Sequence, residues 1–389
     1  MKAGWEVQKL GRLLEVKNGF AFDSKRFSEE DGSPLIRIRD LKDGYTTSLR
    51  FNGPYQKEYI CREGDLLVGM DGEFICYEWK GEEALLNQRV CRLQEFDGRL
   101  LPKYLLYGIN KYLKEIEDVT GYTTVKHLSS KTIKEIDFPL PPLDEQKRIV
   151  AVLDASFEGL TRARAHTETN LQNARELFDS ELRSIFEHGE QNWPMISLPA
   201  VCQDFGRGKS KHRPRNDPSL YGGTMPFLQT GDLTKSDHWI TEYSQTYSQK
   251  GVEQSKVWPT GTVCIAIVGA TIGETGITSF ESCFPDSVIG MTPDPKLAHP
   301  EYIDYILQFY KEQLKKAGEG SARDNINLAT FENRLFPFPS VGEQQDVVER
   351  LNRMSEDITD IQSQYRVKLA DLDALRQSLL QKAFAGKLT

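Results

Sequence analysis

The sequence predicts an α+β fold: two tandem mixed α/β domains separated by two long helices. Three observations lead to this prediction. The segment 138–186 recurs 198 positions later as 336–384, so the chain is a tandem duplication. The end of each copy has apolar residues at three-four spacing over several heptads, the pattern of a coiled-coil helix. The rest of each copy contains short β-branched and aromatic runs between Gly, Asp and Asn turns, which indicates strands.

The repeat is clearest where each helical segment begins and ends. The matching residues are Phe138-Pro139-Leu140-Pro141 with Phe336-Pro337-Phe338-Pro339, Glu145-Gln146 with Glu343-Gln344, and Phe186 with Phe384. Near the start of each copy the offset drifts, and Pro34-Leu35-Ile36 before Asp40 corresponds to Pro226-Phe227-Leu228 before Asp232. This duplication predicts a pseudo-two-fold repeat.

The helical segments divide the chain into four predicted regions. Residues 142–189 and 341–389 form the helices, because prolines precede each one and Gly189 and Gly386 fall where C-caps belong. Residues 1–141 and 190–340 form the two α/β domains. Each helix is then roughly 65 Å long at about 1.5 Å per residue. The narrow apolar stripes predict that the helices pair as an antiparallel coiled coil.

The composition excludes several classes of protein. With 39% hydrophobic and 27% charged residues, it is typical of a cytoplasmic protein, and no apolar run approaches the roughly 18 residues of a membrane span. The net charge of −8 argues against bulk attraction to nucleic acid, so any polyanion site must be a local patch. The six cysteines form no C-x-x-C pair, which favours buried free thiols over a metal site or disulfides.

No catalytic motif is complete. Gly208-Lys209-Ser210 ends like a phosphate-binding loop, but Gln203 stands where its first glycine belongs. Asp65 with Glu78-Trp79-Lys80 imitates the carboxylate and lysine set of metal-dependent nucleases, and the second copy lacks it. The chain also has no tetrapeptide of the kind that holds a flipped base in amino-methyltransferases. The sequence therefore predicts no catalytic residue, no metal site and no bound cofactor.

Basic residues near the start of each α/β domain are candidates for contact with DNA phosphates or bases. The second domain crowds into one irregular stretch Arg207, Lys209, Lys211, His212, Arg213 and Arg215. The first domain offers, at the place taken as equivalent, Lys25, Arg26, Arg37, Arg39 and Lys42. Glycine segments before the proline-containing strands add Lys126 and Arg323. Ordinary solvated loops, and a strand's solvent face for Arg37 and Arg39, are the alternative interpretations.

The alignment of the two copies pairs Arg37 with Gln229. Arginine can bond bidentately to guanine and glutamine to adenine. Different residue types at equivalent positions would suit two domains that read different sequences.

Three segments together resemble the DNA-specificity subunit of type I restriction-modification systems. They are the proline and Glu-Gln element at 138–146, the segment 222–233 with Pro226-Phe227-Leu228 and Gly231-Asp232-Leu233, and the terminal segment 378–388. The resemblance covers the full chain. In the second copy Ser340-Val341-Gly342 replaces Pro142-Leu143-Asp144, which predicts a weaker start of the second helix.

The resemblance implies two target recognition domains, each reading one half of a split double-stranded DNA target, with the helices as spacer. It implies docking of two methyltransferase subunits, which bind S-adenosylmethionine and methylate adenine, and of restriction subunits that use ATP and Mg. The chain itself would be non-catalytic. Two other interpretations stay open: the specificity part of a related fused restriction-methylation enzyme, and a coiled-coil scaffold that binds proteins, which the negative net charge favours.

Overall fold

The computed structural model describes residues 4–42, 46–120, 127–211, 214, 216–318 and 326–388. The chain forms two units. Unit 1 contains Met1–Thr167 and Val367–Thr389, and unit 2 contains Glu168–Arg366. Each unit therefore combines one α/β copy with a part of both long helices. None of the described helices is both long and apolar enough to cross a membrane.

Unit 1 is a mixed α/β unit, as the sequence predicts. Its strands are β1 (Glu6–Lys9), β2 (Glu15–Asn18), β3 (Phe27–Ser28), β4 (Ser33–Ile36), β5 (Arg50–Phe51), β6 (Ile60–Cys61), β7 (Leu66–Gly69), β8 (Cys76–Glu78), β9 (Ala84–Leu86), β10 (Val90–Gln94) and β11 (Asp137–Leu140). They form an antiparallel sheet β2-β10-β7-β8, a mixed sheet β3-β5-β4-β9-β6 and the pair β1-β11. Helices α1 (Pro102–Thr120) and α2 (Ser130–Lys134) precede β11, and α3 (Leu143–Asn192) follows it.

Strand β7 shows why its residues form a fully buried strand. Leu66 and Val68 face the main core of unit 1, whereas Leu67 faces a second core that contains Trp79. Alternate residues of a strand point to opposite faces, so a strand between two cores is apolar at every position.

Unit 2 repeats this plan. Its strands are β12 (Met195–Ser197), β13 (Cys202–Arg207), β14 (Tyr221–Phe227), β15 (Trp239–Ile240), β16 (Gln245–Tyr247), β17 (Val263–Ala266), β18 (Thr275–Thr278), β19 (Val288–Pro293) and β20 (Leu335–Pro337). They form the sheet β13-β19-β17-β18-β15 and the pairs β14-β16 and β12-β20. The helices are α4 (Thr230–Thr234), α5 (Gln249–Glu253), α6 (Pro300–Phe309), α7 (Lys311–Gly318), α8 (Leu328–Asn333) and α9 (Val341–Phe384). Strand β17 corresponds to β7, because Val263 and Ile265 face one core and Cys264 and Ala266 face another.

Two expectations about the helix ends are wrong. Helix α3 continues past Gly189 to Asn192, and a Cβ at Gly189 would lie 2.4 Å from the Trp193 ring. This glycine therefore allows the tryptophan to pack on the helix. The start of α9 is not weakened either, because the Ser340 Oγ and N–H both donate to the Glu343 carboxylate. That contact is one half of a capping box. Gly386 does end α9 with a φ of +69°, as expected.

The apolar stripe of each long helix is only partly buried. Leu153, Phe157, Leu351 and Ile358 are buried within their units. Ile361 and Leu375, which the spacing assigns to the seam, are 40% and 49% exposed. Within the described part of unit 1, α3 contacts α9 through an ion pair of 2.7 Å between Arg164 and Asp373. Within unit 2 an ion pair of 2.5 Å joins Glu181 of α3 to Arg350 of α9.

The repeated Glu-Gln element contains a buried clamp. The Gln146 amide is fully buried, and its Oε1 accepts from the Leu101 N–H at 2.8 Å. Its Nε2 donates to the carbonyls of Arg99 (2.7 Å) and Pro141 (2.8 Å). One side chain thus ties the start of α1, the proline strand and α3 together. A buried amide with all its bonds made fixes geometry, because any displacement leaves buried polar groups without partners.

Gln344 makes the same bonds in unit 2. Its Oε1 accepts from His299, and its Nε2 donates to the carbonyls of Leu297 and Pro339, each at 2.9 Å. The tyrosines nearby also repeat, since Tyr104 donates to the Pro139 carbonyl and Tyr302 to the Pro337 carbonyl. Gln146 and Gln344 therefore join each α/β region to the long helix that follows it.

Replacing Gln146 with Ala is expected to destabilise the protein by about 3 kcal/mol or more. The change leaves one N–H and two carbonyls without their amide partner in a buried place, and such groups cost about 1–3 kcal/mol each. Denaturant unfolding of the full chain measures the shift, with Lys147→Ala at the neighbouring exposed position as control. A midpoint unchanged from that control would show that the clamp carries no stability.

Candidate nucleic-acid interface

The candidate interface in unit 1 begins at Gly19, where the backbone after β2 passes close to the turn 87–89; we call this close approach the Gly19 crossing. The Gly19 N–H donates to the Val90 carbonyl at 3.0 Å, and a Cβ on Gly19 would lie 2.0 Å from the Asn87 carbonyl oxygen. Only glycine allows this approach. The crossing holds the loop after β2 against the turn 87–89 between β9 and β10.

The same crossing recurs at Gly208 in unit 2. Its N–H donates to the Val288 carbonyl at 2.9 Å, and a Cβ would lie 2.1 Å from the Phe284 carbonyl oxygen. Each loop then reaches a short turn that an aspartate caps, Asp23 in unit 1 and Asp217 in unit 2. Residues 20–22 fill the interval in unit 1 and residues 209–216 fill it in unit 2. The second loop is thus five residues longer.

The basic stretch of the second copy lies at and after this crossing. Arg207 ends β13 and is half-buried, and Lys209 and Lys211 are exposed. The Lys209 carbonyl accepts from Ser255 Oγ at 2.7 Å, which ties the loop to the segment after α5. His212, Arg213 and Arg215 lie outside the described residues, as do Lys126 and Arg323.

Lys25 and Arg26 do not occupy the place equivalent to that basic loop. They lie in the turn Ser24–Arg26, which corresponds to Pro218–Leu220 and is held by the Asp23 carboxylate. Both are exposed. The counterpart of the basic loop in unit 1 is the stretch Phe20-Ala21-Phe22. The basic loop and its counterpart do not align in sequence because they differ in length by five residues.

Arg37 starts the short helix Ile38–Leu41 and is held by the buried Asp40. Its Nε donates to Asp40 Oδ2 at 3.1 Å and its Nη2 to Oδ1 at 3.2 Å. Nη2 also donates to Ser48 Oγ at 3.1 Å. Arg39 and Lys42 are exposed on or just after the same turn, and Lys42 pairs with Glu73 at 3.0 Å.

Gln229 occupies the matching position in unit 2. Its backbone angles, φ −106° and ψ 164°, agree with those of Arg37, φ −105° and ψ 163°. The Asp232 carboxylate accepts from the Gln229 N–H at 2.7 Å, as Asp40 accepts from the Arg37 N–H at 2.8 Å. Ser244 donates directly to Asp232 at 3.1 Å, whereas in unit 1 the Arg37 guanidinium bridges the corresponding Ser48 and Asp40. Gln229 Nε2 donates to Gln245 Oε1 at 3.2 Å.

A polar and aromatic patch that the sequence pattern did not predict lies beside the Gly19 crossing. The turn Asn87-Gln88-Arg89 contacts Phe20, and the Arg89 guanidinium pairs with Asp71 at 2.6 Å. Phe20 and Tyr55 are 46% and 42% exposed and line a hollow of about 290 Å³. Exposed aromatic faces can stack on bases and arginine can bond to base edges or phosphates. The signal in the sequence is Phe20 and Phe22, which follow Gly19 directly after β2.

The residues that imitate catalytic sets have structural contacts. The Asp65 carboxylate accepts from the Arg62 N–H at 2.9 Å and pairs with Arg92 at 3.2 Å. All six cysteines are free, and burial raises the pKa of Cys61 and Cys91 to about 12. Within the described part of the chain, no three His, Cys, Asp or Glu side chains are grouped as metal ligands.

Both halves of the chain match one family model, described as the type I restriction modification DNA specificity domain, over residues 2–170 and 191–369. The chain belongs to this type I restriction-modification specificity family. It is accordingly a non-catalytic specificity subunit with two DNA-specificity domains.

Relatives from bacteria and archaea support this membership. The EcoBI specificity subunit of Escherichia coli is 29% identical, over 99% of this chain and 86% of its own length. The EcoKI specificity subunit of Escherichia coli strain K12 is 21% identical, over 99% and 89%. The MjaVIII specificity subunit of Methanocaldococcus jannaschii is 23% identical, over 99% and 93%.

Two solved structures share the fold of this specificity subunit. One, from work on complex assembly and conformational transition of the type I restriction-modification system, matches with a TM-score of 0.75 and 20% identity, over 100% of this chain and 99% of its own. The HsdS subunit from Thermoanaerobacter tengcongensis matches with a TM-score of 0.64 and 19% identity, over 100% and 98%. These matches confirm the prediction of tandem α/β domains.

Proposed function

We propose that each unit of this specificity subunit reads one half of a split double-stranded DNA target. The observation that carries the proposal is the pair Arg37 and Gln229, which have the same backbone conformation but different base-bonding groups. A duplicated scaffold that keeps its buried aspartate and varies the neighbouring side chain is suited to two readers with different preferences. Guanine is the expected partner of Arg37 and adenine that of Gln229.

The two candidate readers differ in how freely they can reach a base. Gln229 is bonded through its side chain to the exposed Gln245. The bonds of Arg37 to Asp40 and Ser48 use Nε and Nη2. A base contact by Arg37 would therefore come from Nη1, or would require the pair with Asp40 to open. We assign three exposed cations to DNA phosphates: Arg39 in the short helix Ile38–Leu41, and Lys25 and Arg26 in the turn Ser24–Arg26.

We assign Arg207, Lys209, Lys211, Arg213 and Arg215 to the DNA backbone in the second half-site, and Lys126 and Arg323 to the same role. The Gly208 crossing fixes the start of the basic loop, and the cations at 209–215 come directly after this position in the chain. A positively charged loop in a chain of net charge −8 concentrates attraction for phosphate at one place.

Replacing Lys209, Lys211, Arg213 and Arg215 together with Ala is expected to weaken binding to all DNA sequences alike. Each lost phosphate contact reduces the slope of log affinity against log salt by about 0.9, so the four changes reduce it by up to about 3.6. Fluorescence titration of labelled duplex at several salt concentrations measures the slope. An unchanged slope would remove this loop from the DNA backbone.

We further propose that α3 and α9 pair as an antiparallel coiled coil that sets the gap between the half-sites. The helices contain 50 and 44 residues, or about 75 and 66 Å at about 1.5 Å per residue. Support comes from the Arg164 to Asp373 pair in unit 1 and the Glu181 to Arg350 pair in unit 2. The domain boundaries after 141, 189 and 340 remain predictions within this arrangement.

The partners are proposed as two methyltransferase subunits and restriction subunits, with S-adenosylmethionine, ATP and Mg bound by those partners. Exposed apolar side chains on the long helices suit docking of other chains; among them are Val152, Leu177, Ile361, Val367 and Leu375. Location in the cytoplasm remains a prediction from the sequence.

A gel-shift titration with purified chain and methyltransferase subunit tests the proposal. The two proteins together are expected to retain a labelled duplex that contains the target sequence. A competitor duplex of the same base composition but without the target should displace it only at much higher concentration. A complex of the two proteins that shows no preference among duplexes would favour a protein-binding scaffold instead.

A further inference from the structure

Unit 1 carries an apolar groove with an acidic rim, away from the Gly19 crossing in sequence. Tyr112, Ile116 and Val119 of α1 and Ile136 before β11 line this groove, whose volume is about 500 Å³. Val119 is 82% exposed. Such an apolar surface on a protein is characteristic of a site that another chain covers.

In the second copy the side chain of Arg334 lies at the equivalent place. The Arg334 guanidinium lies 4.5 Å from the ring centroid of Tyr310 and 5.7 Å from that of Phe336. Its Nη2 donates to the Gln313 side chain. Arginine stacked on aromatic rings and bonded to a neighbouring oxygen is a stable arrangement.

Unit 1 has side chains equivalent to those that contact Arg334, but it has no arginine at the equivalent position. Moving back 198 positions replaces Tyr310 by Tyr112, Gln313 by Glu115 and Arg334 by Ile136. A carboxylate binds guanidinium more strongly than an amide does. Position 136 has no charge, and the cation near the Tyr112 ring is the exposed Lys111, whose Nζ lies 5.7 Å from the ring centroid.

The charges around the groove favour a basic occupant. Glu135 and Asp137 stand on its rim and share Lys9, at 3.1 and 3.4 Å, and Glu115 lies 3.8 Å from Lys111. Three carboxylates face two lysines, which leaves a net negative charge and disfavours DNA phosphates. The pairs are largely exposed and therefore weak, so an incoming guanidinium can displace a lysine.

We propose that this groove receives an arginine, flanked by apolar residues, from the methyltransferase subunit. The identity of the partner rests on the proposed function above. The arginine stacks on Tyr112 and pairs with Glu115, while its apolar neighbours cover Val119 and Ile116. Burial raises the pKa of the Tyr112 hydroxyl, so the ring stays neutral at physiological pH.

Titration of purified methyltransferase subunit onto the full chain by analytical ultracentrifugation tests the groove. Tyr112→Ala and Glu115→Lys are each expected to weaken the complex roughly 10-fold, the order of one stacked and charge-paired arginine. Ile136→Arg is expected to weaken it as well, because the new side chain fills the groove from within. Because Ile136 is buried in the core of unit 1, the thermal unfolding midpoint of this variant is measured beside its affinity, to separate a filled groove from a disturbed fold.

The matched control is Gln313→Ala, which alters the filled site in unit 2 and should leave the affinity unchanged. Wild-type affinity in both Tyr112→Ala and Ile136→Arg would overturn the groove proposal while the proposed function stands. Self-association of the wild-type chain that these variants abolish would also overturn it, because the occupant would then be a second copy. Absence of any wild-type complex would overturn the proposed function together with this inference.

Discussion

Four residues inserted into each long helix are expected to lengthen the DNA target by one or two base pairs without changing either half-site. The insertions belong between Thr167 and Glu168 in α3 and between Arg366 and Val367 in α9, where the chain passes between the units. Four helical residues add about 6 Å, and one base pair advances about 3.4 Å. Because both sites lie at the unit boundaries, contacts inside each unit, such as Arg164 with Asp373, keep their partners.

The measurement is methylation of duplexes in which the same two half-sites are separated by the original gap or by a gap one to three base pairs longer. The variant should lose activity on the original gap and gain it on a longer one. An insertion in α3 alone is the control and should abolish activity on all of them, since the helices then no longer match. Undiminished methylation of the original gap would mean that the helices pack the units without acting as a spacer.

Exchange of the residues at the two equivalent turns is expected to exchange base preference at single positions. Arg37→Gln should shift one position of the first half-site from guanine towards adenine, and Gln229→Arg should do the reverse in the second. Each change is expected to be about 1–3 kcal/mol, or roughly 5- to 150-fold in relative affinity. The fold tolerates the exchange, because in unit 2 Ser244 bonds to the capping aspartate without an arginine.

The control for this exchange is Arg39→Gln, which removes the same charge from the same short helix of unit 1. It should weaken binding to all sequences equally, as expected for a phosphate contact. Competition among duplexes that differ at one position measures the preference. A uniform loss with Arg37→Gln, parallel to that with Arg39→Gln, would remove Arg37 from base reading.

Much of the scaffold could be predicted because local patterns and the repeat agree. The three-four apolar spacing predicts both long helices, and the 198-residue offset pairs Gln146 with Gln344, which make matching hydrogen bonds in the structure. The backbone agreement of Arg37 and Gln229 was also foreseeable, since each stands three residues before an aspartate that caps the turn.

The interface was harder to predict because contacts between distant segments determine it. The crossing at Gly19 depends on a turn nearly 70 residues later in the sequence, and the residues around the glycine do not identify that turn. The five extra residues after Gly208 also shifted the alignment, so Lys25 and Arg26 were matched to the wrong loop. The exposure of Ile361 and Leu375 depends on which residues face them, and heptad spacing alone does not determine that.

Sequencing of methylated adenines shows directly whether this chain selects a split target, when a host that carries the chain with its methyltransferase subunit is compared with the same host lacking the chain. The expected result is a methylated motif of two short specific segments separated by a gap of fixed length, present only with the chain. Changes confined to unit 1 or unit 2 should then alter one segment each. A continuous motif, or methylation that persists without the chain, would show that the two units do not select the two segments of a split target.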